Sequence, residues 1–173
     1  MNDEKQALDH LFSATYEELR RLASSVRRDD PSETLNPTAL VNEAYLKLAE
    51  SLRIEPVSRL HFKRIAARAM RQVLVEAARR RSARKRGGGQ ALVTFDDALD
   101  STVQSADQLI ALDAALEDLG RMQPRQAQMV EFRFFGGLDM AETAELLEVS
   151  QSTVERDWRA ARAWLAVELR SAR

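Results

Sequence analysis

Cysteine is absent from the chain, which excludes disulfides and any thiolate metal site. Aromatic residues make up only 6%, and no run of alternating Val, Ile or Thr occurs, so strands are not expected. No stretch is long and apolar enough to span a bilayer, and the first residues lack the apolar core of a secretion signal. The expectation is a cytoplasmic protein that makes no membrane contact. Ala, Leu, Arg and Glu are abundant, and with Gln they make up a large share of the chain; these residues favour helices. At 173 residues the chain suits one large or two small domains.

Net charge is nearly balanced at -1, but the charges are segregated. Between residues 61 and 90 stand Lys63, Arg64, Arg68, Arg71, Arg79, Arg80, Arg81, Arg84, Lys85 and Arg86, against the single acid Glu76. Between residues 91 and 120 the acids Asp96, Asp97, Asp100, Asp107, Asp113, Glu117 and Asp118 occur without any Lys or Arg. Such asymmetry predicts a polyanion-binding half joined to an acidic connector.

The most informative stretch is Leu138 to Leu165, LDMAETAELLEVSQSTVERDWRAARAWL. Asp139 and Glu142 are spaced as a capping box for a short helix. Ser150 or Ser152 can cap a second one. Ala144, Leu147, Val149, Val154 and Trp158 fall where two crossing helices bury their inner faces, and the small Ala144 permits a close crossing. The pattern predicts a helix-turn-helix, whose second helix enters a major groove. Outward on that helix would be Gln151, Ser152, Thr153, Glu155, Arg156, Arg159 and Arg162, mostly groups that bond bases or phosphates.

From the beginning of the chain, Leu8, Leu11, Phe12, Tyr16, Leu19, Leu22, Ala23 and Val26 recur at helical steps and predict an amphipathic helix over 3–28. Asn36-Pro37 starts the next, with Asn36 as cap and proline at the first helical position. Its stripe is Leu40, Val41, Ala44, Tyr45 and Leu48. Ser58 caps a third helix to about Arg81, with Phe62, Ile65, Ala66, Ala69, Met70, Val73 and Ala77 as its buried side. Three matching stripes make a small bundle. Its exposed basic face and the run RRRSARKRGGG predict a phosphate-binding surface. The triple glycine reads as a hinge, since no strand precedes it and no Gly-Lys-Ser/Thr follows. After a polar acidic segment, Leu109, Leu112, Leu116 and Leu119 line a new helix. Pro124 opens another, through Met129, Val130 and Phe134 to a stop at Gly136-Gly137. The expected architecture is all-α: a first domain over 1–88, a flexible acidic linker over 89–105 and a second domain over 106–173.

At this point the chain resembles the extracytoplasmic-function (ECF) sigma factors of bacterial RNA polymerase. Met122-Gln123-Pro124-Arg125-Gln126, Val130 to Leu138 (VEFRFFGGL) and Ser152-Thr153-Val154 follow the family's region four in order and spacing. Ala39 to Leu48 (ALVNEAYLKL) is similar to the polymerase-docking part of region two, and Arg64-Ile65-Ala66-Ala67-Arg68 through Arg81 to the part that reads and melts the minus-ten element. The resemblance implies that core RNA polymerase and promoter DNA are partners, with contacts to the clamp helices of the largest subunit and to the flap. It implies that Asn42, Glu43, Tyr45 and Leu46 sit on the clamp. Arg64, Arg68, Arg71 and Gln72 would face minus-ten DNA, with Arg79, Arg80 and Arg81 on neighbouring phosphates. Gln151, Ser152, Thr153, Glu155, Arg156, Arg159 and Arg162 would meet the minus-thirty-five element.

Three positions depart from the family's pattern. Arg68 stands where asparagine often lies beside the extruded base, and Glu155 stands where Lys or Arg is usual. The polymerase-docking helix opens Asn36-Pro37-Thr38-Ala39 instead of with a cluster of acids, leaving mainly Glu43 and Glu50. A phosphate on Thr38 would supply the missing charge at the positive end of a helix dipole. Thr38 is therefore a candidate phosphorylation site for a Ser/Thr kinase, with Thr34 less favoured; an anti-sigma factor is the other candidate regulator.

Two other function classes fit the sequence less well. A stand-alone helix-turn-helix regulator of duplex DNA would need the second domain but not the basic first one. An enzyme would need a site, and the sequence offers none: His10 and His61 lie far apart on surface-like helices, and Asp96-Asp97 reads as linker charge. No catalytic residue, metal or cofactor is expected.

Overall fold

The computed structural model describes residues 2–25, 36–51, 58–84 and 106–171. Among them lie seven helices and no strand: α1 (Asn2–Ser25), α2 (Pro37–Ser51), α3 (Arg59–Arg84), α4 (Ala106–Met122), α5 (Pro124–Gly136), α6 (Met140–Leu147) and α7 (Gln151–Ser171). The expected linker, the triple-glycine hinge, Thr34 and the Asp96-Asp97 pair fall outside the described residues. No helix among those described is long and apolar enough to cross a membrane, and none of their acidic or histidine side chains group as a metal site would require.

The helix starts follow from capping chemistry. The Thr38 N–H donates to Oδ1 of Asn36 at 3.0 Å, ahead of Pro37 at the first helical position of α2. The His61 N–H donates to Oγ of Ser58 at 3.2 Å. At α6 the expected capping box is complete: the Glu142 N–H donates to Asp139 Oδ1 at 2.8 Å and the Asp139 N–H to Glu142 Oε2 at 3.0 Å. Of the two serines considered for α7, Ser150 is the cap, accepting the Thr153 N–H at 3.2 Å. Its hydroxyl also meets those of Ser152 and Thr153 at 3.0 and 2.9 Å.

Stops are equally local. Gly137 ends α5 with φ of 64°, a left-handed conformation that a Cβ disfavours. Glu148 takes the same region at the end of α6, φ 54°, so the turn Glu148–Ser150 joins α6 to α7 without a glycine.

Packing runs through α3. It lies against α2 and α1 on one side and against α4 and α5 on the other. Leu40, Val41, Ala44 and Leu48 of α2 are buried as their stripe predicts. Phe12 of α1 packs against Tyr45 with ring centroids 4.6 Å apart and planes tilted by 52°. On α3 the predicted face is buried, with Ile65 partly so, but Ala67, Leu74, Val75 and Ala78 are buried too. These extra residues belong to one core with Leu109, Leu112, Leu116, Met129, Phe132 and Phe135. At Gly136 the approach is close: a Cβ there would lie 2.8 Å from that of Ala67 and 2.7 Å from Leu138 Cδ1. In the other direction α7 packs on α4, α5 and α6 through buried Val154, Ala161 and Leu165.

Candidate nucleic-acid interface and polymerase-docking face

Positions four apart on a helix form a ridge, and α3 carries two ridges of different fate. Arg64, Arg68, Gln72, Glu76 and Arg80 are all exposed. Of these, Glu76 takes Lys47 of α2 at 3.0 Å, and Arg80 lies 3.6 Å from Glu43 of α2. Arg64, Arg68 and Gln72 thus form an outward polar row.

The adjacent ridge is Lys63, Ala67, Arg71, Val75 and Arg79, and it faces the second half of the chain. Lys63 Nζ lies 2.7 Å from Oε1 of Glu142. Arg71 is enclosed: Nε donates to Asp113 Oδ1 at 2.9 Å, Nη1 to Glu131 Oε2 at 2.7 Å, and Nη2 to the Asp113 main-chain oxygen at 3.2 Å. The other oxygen of Asp113 takes Arg79 Nη2 at 3.1 Å. One turn further, Ser82 Oγ donates to Asp107 at 2.6 Å. Burial alone would depress the pKa of Arg71, but the hydrogen bonds to Glu131 and Asp113 outweigh it and raise the pKa. Between these helices runs a cleft of about 470 Å³, walled by Arg68, Arg71, Gln72 and Arg79 on one side and by Asp113, Glu117 and Glu131 on the other.

By sequence Arg71 and Arg79 belong with Arg64, Arg68 and Gln72 on one minus-ten surface; the fold gives Arg71 and Arg79 intramolecular partners. Arg81 is half-buried near the end of α3. Lys63, Asp113, Glu131 and Glu142 were not singled out as a network. Their signal was present as the segregation of bases before residue 90 from acids after it. Asp107, Asp113, Glu117 and Asp118 turn out to lie on α4.

On α7, Gln151, Ser152, Glu155, Arg156 and Arg159 are exposed, and Thr153 and Arg162 partly so. Positions 152, 155, 156 and 159 are three or four apart and share one side of the helix. The helix is held from behind. Arg125 at the start of α5 grips buried Asp157, with Nε and Nη2 at 2.8 and 2.7 Å from Oδ2. The Arg133 guanidinium lies 4.4 Å above the Trp158 ring, a cation–π contact. Burial lowers the pKa of Arg133, and the nearby charge of Asp139 offsets this only in part. Trp158 therefore packs within the fold, as its place on the inner face predicts.

On α2, Asn42 and Leu46 are exposed, Leu46 to 59%, whereas Glu43 and Tyr45 are half-buried. The Tyr45 hydroxyl donates to Asp9 of α1, and that hydrogen bond, reinforced by burial, raises its pKa. Thr38 is half-buried at the second position of the helix, its own N–H already held by Asn36.

With this geometry in hand, comparison with known proteins finds one family: the model described as ECF sigma factor matches residues 2–171. No curated protein and no solved structure matches the chain.

Proposed function

The chain belongs to the ECF sigma factor family, which directs core RNA polymerase to promoters and initiates transcription, and from that premise we propose how its surfaces divide the task. Promoter duplex is read by α7. Ser152, Thr153, Glu155, Arg156 and Arg159 enter the major groove of the minus-thirty-five element, with Gln151 and Arg162 at its edges. The arginines suit guanine or phosphate, and Glu155 suits the N4 amino group of cytosine. The observation that supports this most is the exposed polar side of α7, backed by the Arg125–Asp157 and Arg133–Trp158 braces.

Strand opening belongs to α3. A melted strand needs cations along its backbone and a place for an extruded base. Arg64, Arg68 and Gln72 form the outer row for it, with Arg71 on the adjacent ridge, and Arg79, Arg80 and Arg81 continue toward neighbouring phosphates. Arg68 in place of the family's frequent asparagine would alter base preference. The exposed Leu46 and Asn42, with Glu43 and Tyr45 beside them, form the face that docks on the polymerase clamp. The protein works in the cytoplasm, where the polymerase is, and no residue is given a catalytic role.

Regulation would act at the docking helix. Its first turn contains no acid, and a phosphate on Thr38 from a Ser/Thr kinase would add about two negative charges there. The Thr38 N–H is already used, so the gain would come from the helix dipole and the clamp's basic surface. Binding of core polymerase to wild type, Thr38→Ala, Thr38→Asp and the phosphorylated protein tests this. The charged forms should bind more tightly; equal affinities would remove the switch and leave an anti-sigma factor as the candidate regulator.

The rival reading is a stand-alone regulator that binds duplex through α7. Transcription reconstituted with core polymerase separates the two. A sigma factor yields protein-dependent transcripts from discrete start sites, and a stand-alone repressor yields none.

A further inference from the structure

Asp157 is buried on α7, yet its neighbour in the chain, Arg156, is 70% exposed. The two oxygens of Asp157 have different partners. Oδ2 takes Nε and Nη2 of Arg125 at 2.8 and 2.7 Å. Oδ1 lies 3.9 Å from Nε of Arg156. Consecutive residues of a helix point to different sides, so Asp157 reaches inward to α5 while Arg156 reaches outward, and Oδ1 is where they meet. A carboxylate at the edge of a DNA-reading side would repel phosphates if it stood alone. Arg125 offsets that charge.

We propose that Asp157, anchored by Arg125, is a positioning residue for base choice: it holds Arg156 with Nε turned toward the protein and the two terminal nitrogens turned toward the groove. The proposal rests on the reading of α7 as the helix that enters the minus-thirty-five element. Guanine presents O6 and N7 side by side, and a fork of two N–H groups matches them. An exposed arginine samples many rotamers, and that freedom is lost when it binds. A fixed carboxylate beside Nε removes part of this loss before DNA arrives, which favours the partner that demands one geometry. Phosphate accepts a guanidinium from many directions and gains less. The effect therefore falls on discrimination more than on overall affinity. An Asp157 that only supported the helix would act differently. Its loss would tilt α7 as a whole and weaken Ser152, Glu155 and Arg159 along with Arg156.

The test uses the full-length protein with core polymerase on competing promoters that carry every single base-pair change in the minus-thirty-five element. Arg156→Ala identifies the base pair that Arg156 reads, as the one whose preference it erases. Asp157→Asn keeps the shape and an acceptor for Arg125 but loses the charge. It should lower the preference at that base pair about fivefold, the upper range for an ion pair near the surface, and at the others by less than about twofold. In the Arg156→Ala background, Asp157→Asn should change nothing further at that base pair. Arg125→Lys leaves a cation beside Asp157 without the planar two-nitrogen grip. It should shift the same base pair in the same direction, and it carries the test if circular dichroism shows Asp157→Asn to be unfolded. Equal loss at every base pair, no loss at the one that Arg156 reads, or a further loss there in the Arg156→Ala background would each overturn the proposal. If Arg156→Ala alters no base pair, the placing of Arg156 in the groove fails and takes the proposal with it, so the two failures are distinguishable.

Discussion

Lys63 and Glu142, far apart in the chain, meet at 2.7 Å through the carboxylate that also closes the capping box of α6. Oε1 serves the lysine and Oε2 the Asp139 N–H, so one side chain ties the start of α6 both to itself and to α3. Glu142→Ala should destabilise the protein by about 1–3 kcal/mol, from loss of the reciprocal cap and of a half-buried ion pair. Glu142→Gln retains an acceptor for the Asp139 N–H and should cost less. Urea unfolding of the two variants checks the order.

Gly136 is small because α3 passes it. Gly136→Ala gains helix propensity but meets Ala67 and Leu138, and overpacking of this kind costs about 1–3 kcal/mol. The net effect should be destabilising. Leu138 Cδ1 is the end of a flexible side chain and can turn away, whereas the Cβ of Ala67 cannot. Ala67→Gly in the same molecule should therefore recover part of the loss. A double-mutant cycle that shows simple additivity would refute the contact.

Arg156 is 70% exposed and reaches Asp157 only at 3.9 Å, so its removal should leave stability within about 0.5 kcal/mol. Arg156→Ala should nevertheless lose roughly 1–3 kcal/mol of promoter discrimination if the side chain bonds a guanine. Competition between a promoter bearing the minus-thirty-five element and one with that element scrambled measures the difference. Unchanged discrimination would take Arg156 out of the groove.

Much of this was legible in the sequence because it is local. Caps at Asn36, Ser58, Asp139 and Ser150 and the stop at Gly137 depend on residues within a few positions of one another. The outward side of α7 follows from the same short-range logic. What escaped was the second buried side of α3. Ala67, Leu74, Val75 and Ala78 interleave with Lys63, Arg71 and Arg79, so a search for one apolar stripe stops at the first. A helix clasped from both sides loses its amphipathic signature, and its charged positions are then explained only by partners remote in sequence. The acids of α4 were likewise read with the preceding linker, because charge composition does not reveal which acids a helix will carry to a facing arginine.

Whether α3 opens promoter DNA for the polymerase is tested most cleanly at its outer row. Reversal of Arg71 would also break the contacts to Asp113 and Glu131, whereas Arg64 and Arg68 are exposed. Arg64→Glu/Arg68→Glu should retain wild-type circular dichroism and duplex binding by α7. With core polymerase on a promoter the wild type transcribes, permanganate should modify unpaired thymines near the start site for the wild type and not for the variant. Equal reactivity for both proteins would contradict the assignment.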